Sequence, residues 1–233
     1  MIVVFIAGKP LAIPWVKENA EAVVVQWYGG EQQGRSLADI LVGNVNPSGR
    51  LNVSFPRSTG KTPCFYNHMV TDREEPFDQP GSVDEPKGHY IFDEPSPLWD
   101  FGYGLSYTAF KYTDCFLNDS VFTDNDTLTV NIEVEYVGKL DGKEVVQLYV
   151  RDNVSTVATP GQQLKAFQKV LIKTGQRERV QLKLPISELS LYNADMKEVV
   201  EPGEFEIQIG SAADNICYRK IITVKVKVEL GNK

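Results

Sequence analysis

The hydrophobic pattern changes period part-way along the chain. Residues 2–6 (Ile-Val-Val-Phe-Ile) and 22–26 (Ala-Val-Val-Val-Gln) are short, nearly continuous runs rich in β-branched residues, the pattern of strands buried on both faces of a parallel sheet. Between them "PWVKENA" reads as a turn and a short helix. Leu37, Ile40 and Leu41 fall at helical spacing within residues 33–42, and Gly43 follows where a helix C-terminal cap is expected. Strand, helix, strand, helix predicts an α/β layer. From Leu105 onward the period is two, in residues 128–137, 144–150, 179–184, 205–210 and 221–230. Asp141-Gly142, Thr174-Gly175 and Glu201-Pro202-Gly203 interrupt these runs as turns. Alternating strands at this spacing predict a β-sandwich.

The two patterns are separated by a polar stretch from Pro56 to Pro97, punctuated by Pro63, Pro76, Pro80, Pro86 and Pro95. It is too long for a simple connection inside a compact domain, and such loops are usually functional or wrap the fold as linkers. Asp72, Arg73, Glu74 and Glu75 within it read first as a solvated charged turn and second as ligand contacts. The expected division is an α/β part over residues 1–60, a Pro-rich connection over 61–104, and a β-sandwich over 105–233.

Charge removes several classes of function. The net charge is −7 and the Lys and Arg residues are scattered, so nucleic acid is not an expected partner. No apolar run approaches the roughly 20 residues of a membrane-spanning helix, and membrane insertion is not expected. The opening "MIVVFIAGKPLAIPW" has no basic leader region and is cut by Gly8, Lys9 and Pro10, so it reads as a buried strand and not a signal sequence. Cys64, Cys115 and Cys217 are too irregularly spaced for a disulfide framework or a zinc site, and His68 and His89 stand alone. No metal and no cofactor is expected.

Candidate chemistry concentrates in "QWYGGEQQGRSLADILVGNVNPSGRLNVSFP", residues 26–56. Gly29 and Gly30 follow a strand and precede a helix, where a tight turn can require positive φ and exposes backbone N–H groups. The spacing matches neither dinucleotide- nor nucleotide-phosphate motifs. Glu31 admits two readings, a role in starting or capping the helix and a substrate contact. Trp27, Tyr28 and Trp99 are aromatic bodies that either pack or stack on a sugar face. Pro47 and Gly49 read as a turn, and Phe101, Tyr103 and Tyr107 as apolar bodies that clamp the sandwich to the α/β part.

In order, "VVFIAGKPLAIPW", the Gly-rich stretch just described, "PLWDFGYGLSYTAF", "EVVQLYVRD", "LKAFQKV" and "EPGEFEIQIG" resemble consecutive motifs from the C-terminal part of family 3 glycoside hydrolases, the β-glucosidase and β-xylosidase type. The resemblance spans essentially the whole chain. It implies a (β/α)₈-type barrel, an α/β sandwich domain and a fibronectin type III-like, immunoglobulin-like β-sandwich, with this chain starting inside the second of them. The fold class it implies is therefore a partial α/β sandwich domain followed by an all-β domain.

The resemblance further implies that the catalytic nucleophile, an Asp on the barrel, and the general acid/base, a Glu upstream of "VVFIAGKPLAIPW", both lie outside these residues, so that this chain carries no catalytic residue. Trp27, Tyr28 and Glu31 remain as candidate substrate-binding residues. The partners implied are a β-linked oligosaccharide or glycoside in the intact enzyme and the barrel domain, and the compartment implied is the periplasm or the exterior. The alternative is a stand-alone carbohydrate-binding or protein-interaction β-sandwich, which exposed aromatics along one sandwich face would favour.

Overall fold

The computed structural model describes residues 1–69, 83, 94, 96–138 and 140–225. Asp72, Arg73, Glu74, Glu75 and His89 lie outside the described residues. The chain divides into two compact units, Met1–Tyr66 with Thr71–Leu105 and Asn67–Val70 with Ser106–Lys233.

In the first unit, β1 (Ile2–Phe5) and β2 (Ala22–Val25) pair in parallel, with Ile2 opposite Ala22 and Phe5 opposite Val25. Parallel neighbours need a crossover, and α1 (Pro14–Asn19) supplies it with Pro14 at its start, where the missing N–H costs no hydrogen bond. After β2 comes α2 (Gln33–Leu41), which ends as expected: Gly43 adopts φ 81° and its N–H donates to Ile40 O at 3.0 Å.

The expectation that residues 2–6 and 22–26 are buried on both faces is not met. Every residue of β1 and β2 is half-buried or exposed, and Ile2 is 55 % exposed. Full burial needs a packed layer on each face, and a two-stranded sheet flanked by two short helices has too little cover for both. The amides of residues 2–5 are therefore expected to exchange with solvent faster than those of residues 144–150, which are buried throughout. Equal or slower exchange at residues 2–5 would contradict this.

The second unit is a two-sheet sandwich. One sheet runs β4 (Val121–Phe122), β12 (Ile216–Val224), β11 (Gly203–Gly210), β6 (Gly142–Asp152), β7 (Gln163–Ile172), and the other β3 (Phe110–Leu117), β5 (Thr127–Tyr136), β8 (Arg177–Pro185). Strict alternation on β5 turns Leu128, Val130, Ile132 and Val134 inward, each with 0 % exposure. They meet Val146 and Leu148 of β6 and Ile207 and Ile209 of β11 in one core. Each such side chain stabilises the fold by about 1.5–3 kcal/mol relative to leaving it in water. Asp141 and Gly175 close one end: the Asp141 carboxylate accepts from Thr174 N at 2.8 Å and Thr174 Oγ1 at 2.9 Å, and Gly175 takes φ 73°.

Two strands had no clear alternation in sequence. β3 carries a register shift between Tyr112 and Asp114, and β7 pairs with β6 across a shift between Leu148 and Tyr149. A bulge inserts one residue and exchanges the faces of everything beyond it. The last strand begins at Ile216 rather than residue 221, and residues 226–233 are not described.

The Pro-rich excursion is tied at its base within the first unit. Leu51 N–H donates to Tyr103 O, Gly102 N–H to Leu51 O, Phe55 N–H to Trp99 O and Leu98 N–H to Phe55 O, at 2.7–2.8 Å. Pro47 and Gly49 do not form the expected turn: residues 46–51 carry neither helix, strand nor turn and run beside residues 102–104, where a Cβ on Gly104 would meet Gly49 O. Arg57 donates to Ser96 O at 3.0 Å and pairs with Glu94 at 2.7 Å. Phe101 stacks on Tyr66 with centroids 4.1 Å apart.

Candidate substrate wall

Loops at the carboxyl ends of parallel strands are where open α/β sheets bind ligands. Two Gly-bearing loops of the first unit leave from that edge. Residues 6–10 follow β1, and residues 27–32 follow β2. The second loop is closed across its base by an amide pair: Gln26 Nε2 donates to Gln33 O at 2.6 Å and Gln33 Nε2 to Gln26 Oε1 at 3.4 Å. Gly29 leaves room for this closure, since a Cβ there would lie 3.1 Å from Gln33 Cβ and Cγ. Gly30 has φ 69°, the positive φ expected of this turn.

Trp27 also has positive φ, 52°. A bulky non-glycine residue in the left-handed region costs about 1–3 kcal/mol and persists where its surroundings over-determine it. Here the half-buried Trp27 ring is tilted against Phe55, with centroids 6.1 Å apart. Phe55, 1 % exposed, also meets the Trp99 ring edge-on at 5.7 Å. Lys17 donates from Nζ to Leu98 O at 2.6 Å and holds that ammonium 5.7 Å from the Trp99 centroid. The Trp99 face is thereby taken up by a cation–π contact and not left open for a ligand.

Tyr28 is 77 % exposed, and its ring lies against Gly8 of the β1 loop. Glu31 is exposed in the turn before α2, and the N-cap position falls to Gln32, which makes no side-chain cap bond. The capping reading of Glu31 is thus corrected: the loop reaches the helix one residue later. Sequence reasoning singled out Trp27, Tyr28 and Glu31 but not Gly8, Lys17, Gln26, Gln33 or Phe55. Gly8, three residues beyond the end of β1, stood out in sequence only as a break in the apolar run; nothing local marks Phe55.

Other polar sites offer less. Burial foremost, then Asp100, pushes the Cys64 thiol up, away from the thiolate form a nucleophile needs. No group of three metal-ligating side chains is found among the described residues. The sandwich carries a shallow depression lined by Val150, Asp152, Thr159, Lys165, Ser190 and Phe205. Asp152 Oδ1 accepts from Val154 N at 3.2 Å, while Oδ2 is buried with no hydrogen-bond partner among the described residues.

Burial raises the Asp152 pKa above the ordinary carboxylate value, and Glu201 adds to the effect. The sign follows from linkage. A raised folded-state pKa means that stability is fully present below the unfolded value and is lost as pH rises through the folded one. Asp152→Asn removes the buried charge, so the melting temperature of the variant relative to the parent should rise from acid to neutral pH. A difference that is flat with pH would refute the burial of this charge.

Residues 1–107 match the glycosyl hydrolase family 3 C-terminal domain, and residues 144–213 a fibronectin type III-like domain. A β-xylosidase of Formosa agariphila is 40 % identical over 97 % of this chain and 30 % of its own length. A periplasmic β-glucosidase of Salmonella typhimurium is 37 % identical over 90 % of this chain and 27 % of its length. Among solved structures, the β-glucosidase of Listeria innocua in complex with isofagomine superposes with a TM-score of 0.88 at 30 % identity, covering 97 % of this chain and 31 % of that one. The chain thus spans about three tenths of the length of the relatives it matches.

Proposed function

The chain belongs to the C-terminal portion of the family 3 glycosyl hydrolases, and from that premise we propose that it forms one wall of the substrate site of an enzyme that hydrolyses terminal β-linked sugars. Trp27, Tyr28 and Glu31 supply wall contacts. The nucleophile and the acid/base come from segments outside these residues, the nucleophile from a barrel that is the wall's partner. In this reading residues 1–60 carry the wall, 61–104 connect, and 105–233 give structural support.

The observation that carries the reading is the placement of Tyr28, an exposed aromatic ring on a braced loop at the carboxyl edge of a parallel pair. Such a ring offers a flat apolar surface to the C–H face of a pyranose, and Glu31 offers an acceptor to its hydroxyls. Complementation tests it. A separately expressed barrel with its upstream α/β segment, mixed with this chain, is expected to turn over an aryl β-glucoside or β-xyloside, and Tyr28→Ala to lower kcat/KM. Full activity of the barrel segment alone would sink the assignment of a wall to this chain.

A further inference from the structure

Gly8 and Tyr28 come from different loops and meet at one point. A Cβ built on Gly8 would lie 2.8 Å from Tyr28 Cε2, 3.2 Å from its hydroxyl oxygen and 3.4 Å from Cζ. No real side chain fits there, so the ring occupies the space that the glycine leaves vacant. The ring follows Trp27, whose left-handed backbone at φ 52° turns the chain sharply as the strand ends. The base of the same loop is held by the Gln26–Gln33 amide pair.

We propose that Gly8 is a positioning residue for Tyr28: its missing side chain seats one part of the ring against the β1 loop, so that the open remainder meets a β-linked pyranose in a fixed orientation. The pyranose as ligand class rests on the glycosidase reading above, whereas the seating of the ring does not. An aromatic that is 77 % exposed would otherwise sample several rotamers, and fixing it beforehand removes an ordering cost from binding. The obstruction that Gly8→Ala creates is against a rotatable, exposed ring and not against backbone. The variant is therefore expected to fold and to lose only the seat of Tyr28.

The test is an NMR comparison of the intact chain with Gly8→Ala and Tyr28→Leu. The cited distances place Gly8 at the edge of the ring, close to its plane, so in the parent chain the Gly8 Hα directed at the ring is expected to resonate downfield, and in Tyr28→Leu to return to an ordinary glycine position. In Gly8→Ala the Tyr28 ring signals are expected to move to those of a free tyrosine, with the melting temperature unchanged. An unshifted Gly8 Hα in the parent, or a downfield one that persists in Tyr28→Leu, overturns the positioning role. Should Gly8→Ala fail to fold, the Tyr28→Leu comparison alone decides it.

Titration with methyl β-glucoside and methyl β-xyloside separates the two readings. Tyr28 ring signals are expected to respond, with several-fold weaker binding in Gly8→Ala and no further loss when Gly8→Ala is added to Tyr28→Leu. Ring signals unresponsive to both sugars would refute the wall reading and leave the positioning of the ring standing on the Gly8 signal.

Discussion

Assayed by itself, this 233-residue chain is expected to hydrolyse neither an aryl β-glucoside nor an aryl β-xyloside above a matched blank. Retaining glycoside hydrolysis uses two carboxyl groups about 5–5.5 Å apart, one attacking the anomeric carbon and one protonating the departing oxygen. General acid help by itself contributes typically 10²–10⁴-fold, and loss of the nucleophile removes the covalent route altogether. The acid on the wall, Glu31, lies exposed in the turn before α2. Turnover above the blank that Glu31→Gln abolishes would overturn this reading and make Glu31 catalytic.

The largest stability effect is expected in the sandwich. Leu148 on β6 has 0 % exposure and sits in the shared core of both sheets. Leu148→Ala deletes buried methyl groups and leaves a cavity, costing about 2–5 kcal/mol, which lowers the melting temperature on the order of 10 °C for a domain of this size. Phe167, on the neighbouring strand β7, is 65 % exposed. Phe167→Ala is expected to change stability by no more than about 0.5 kcal/mol, as surface replacements usually do. Similar shifts for the two variants in thermal unfolding would mean that β6 and β7 are not placed as described. Phe116, also exposed, stands on β3 in the other sheet, so it does not extend Phe167 into an aromatic row of the kind a carbohydrate-binding sandwich face would show.

Periodicity decided most of the architecture. A run such as residues 128–137 alternates without interruption, and one register alone buries all its apolar side chains, so β5 is legible from sequence. The α2 helix and its Gly43 terminus were legible for the same reason, since both are local consequences of spacing and backbone freedom. The order of six motifs along the chain pointed to the family.

What the sequence did not carry was contact between residues distant along the chain. β3 and β7 were hidden because bulges exchange their faces mid-strand, and a bulge is set by the partner strand. The expected turn at Pro47 and Gly49 gave way to pairing with residues 102–104, which depends on chain more than 50 residues away along the sequence. Burial of β1 and β2 could not be read from their apolar content, because apolar residues state a preference and only surrounding layers satisfy it. The candidate wall shows the same division. Trp27, Tyr28 and Glu31 stood out by residue type and by their place after a strand. That Tyr28 is seated by Gly8, Trp27 by Phe55, and Trp99 covered by Lys17 was decided only in three dimensions, since each depends on which side chain the fold brings within van der Waals or cation–π reach.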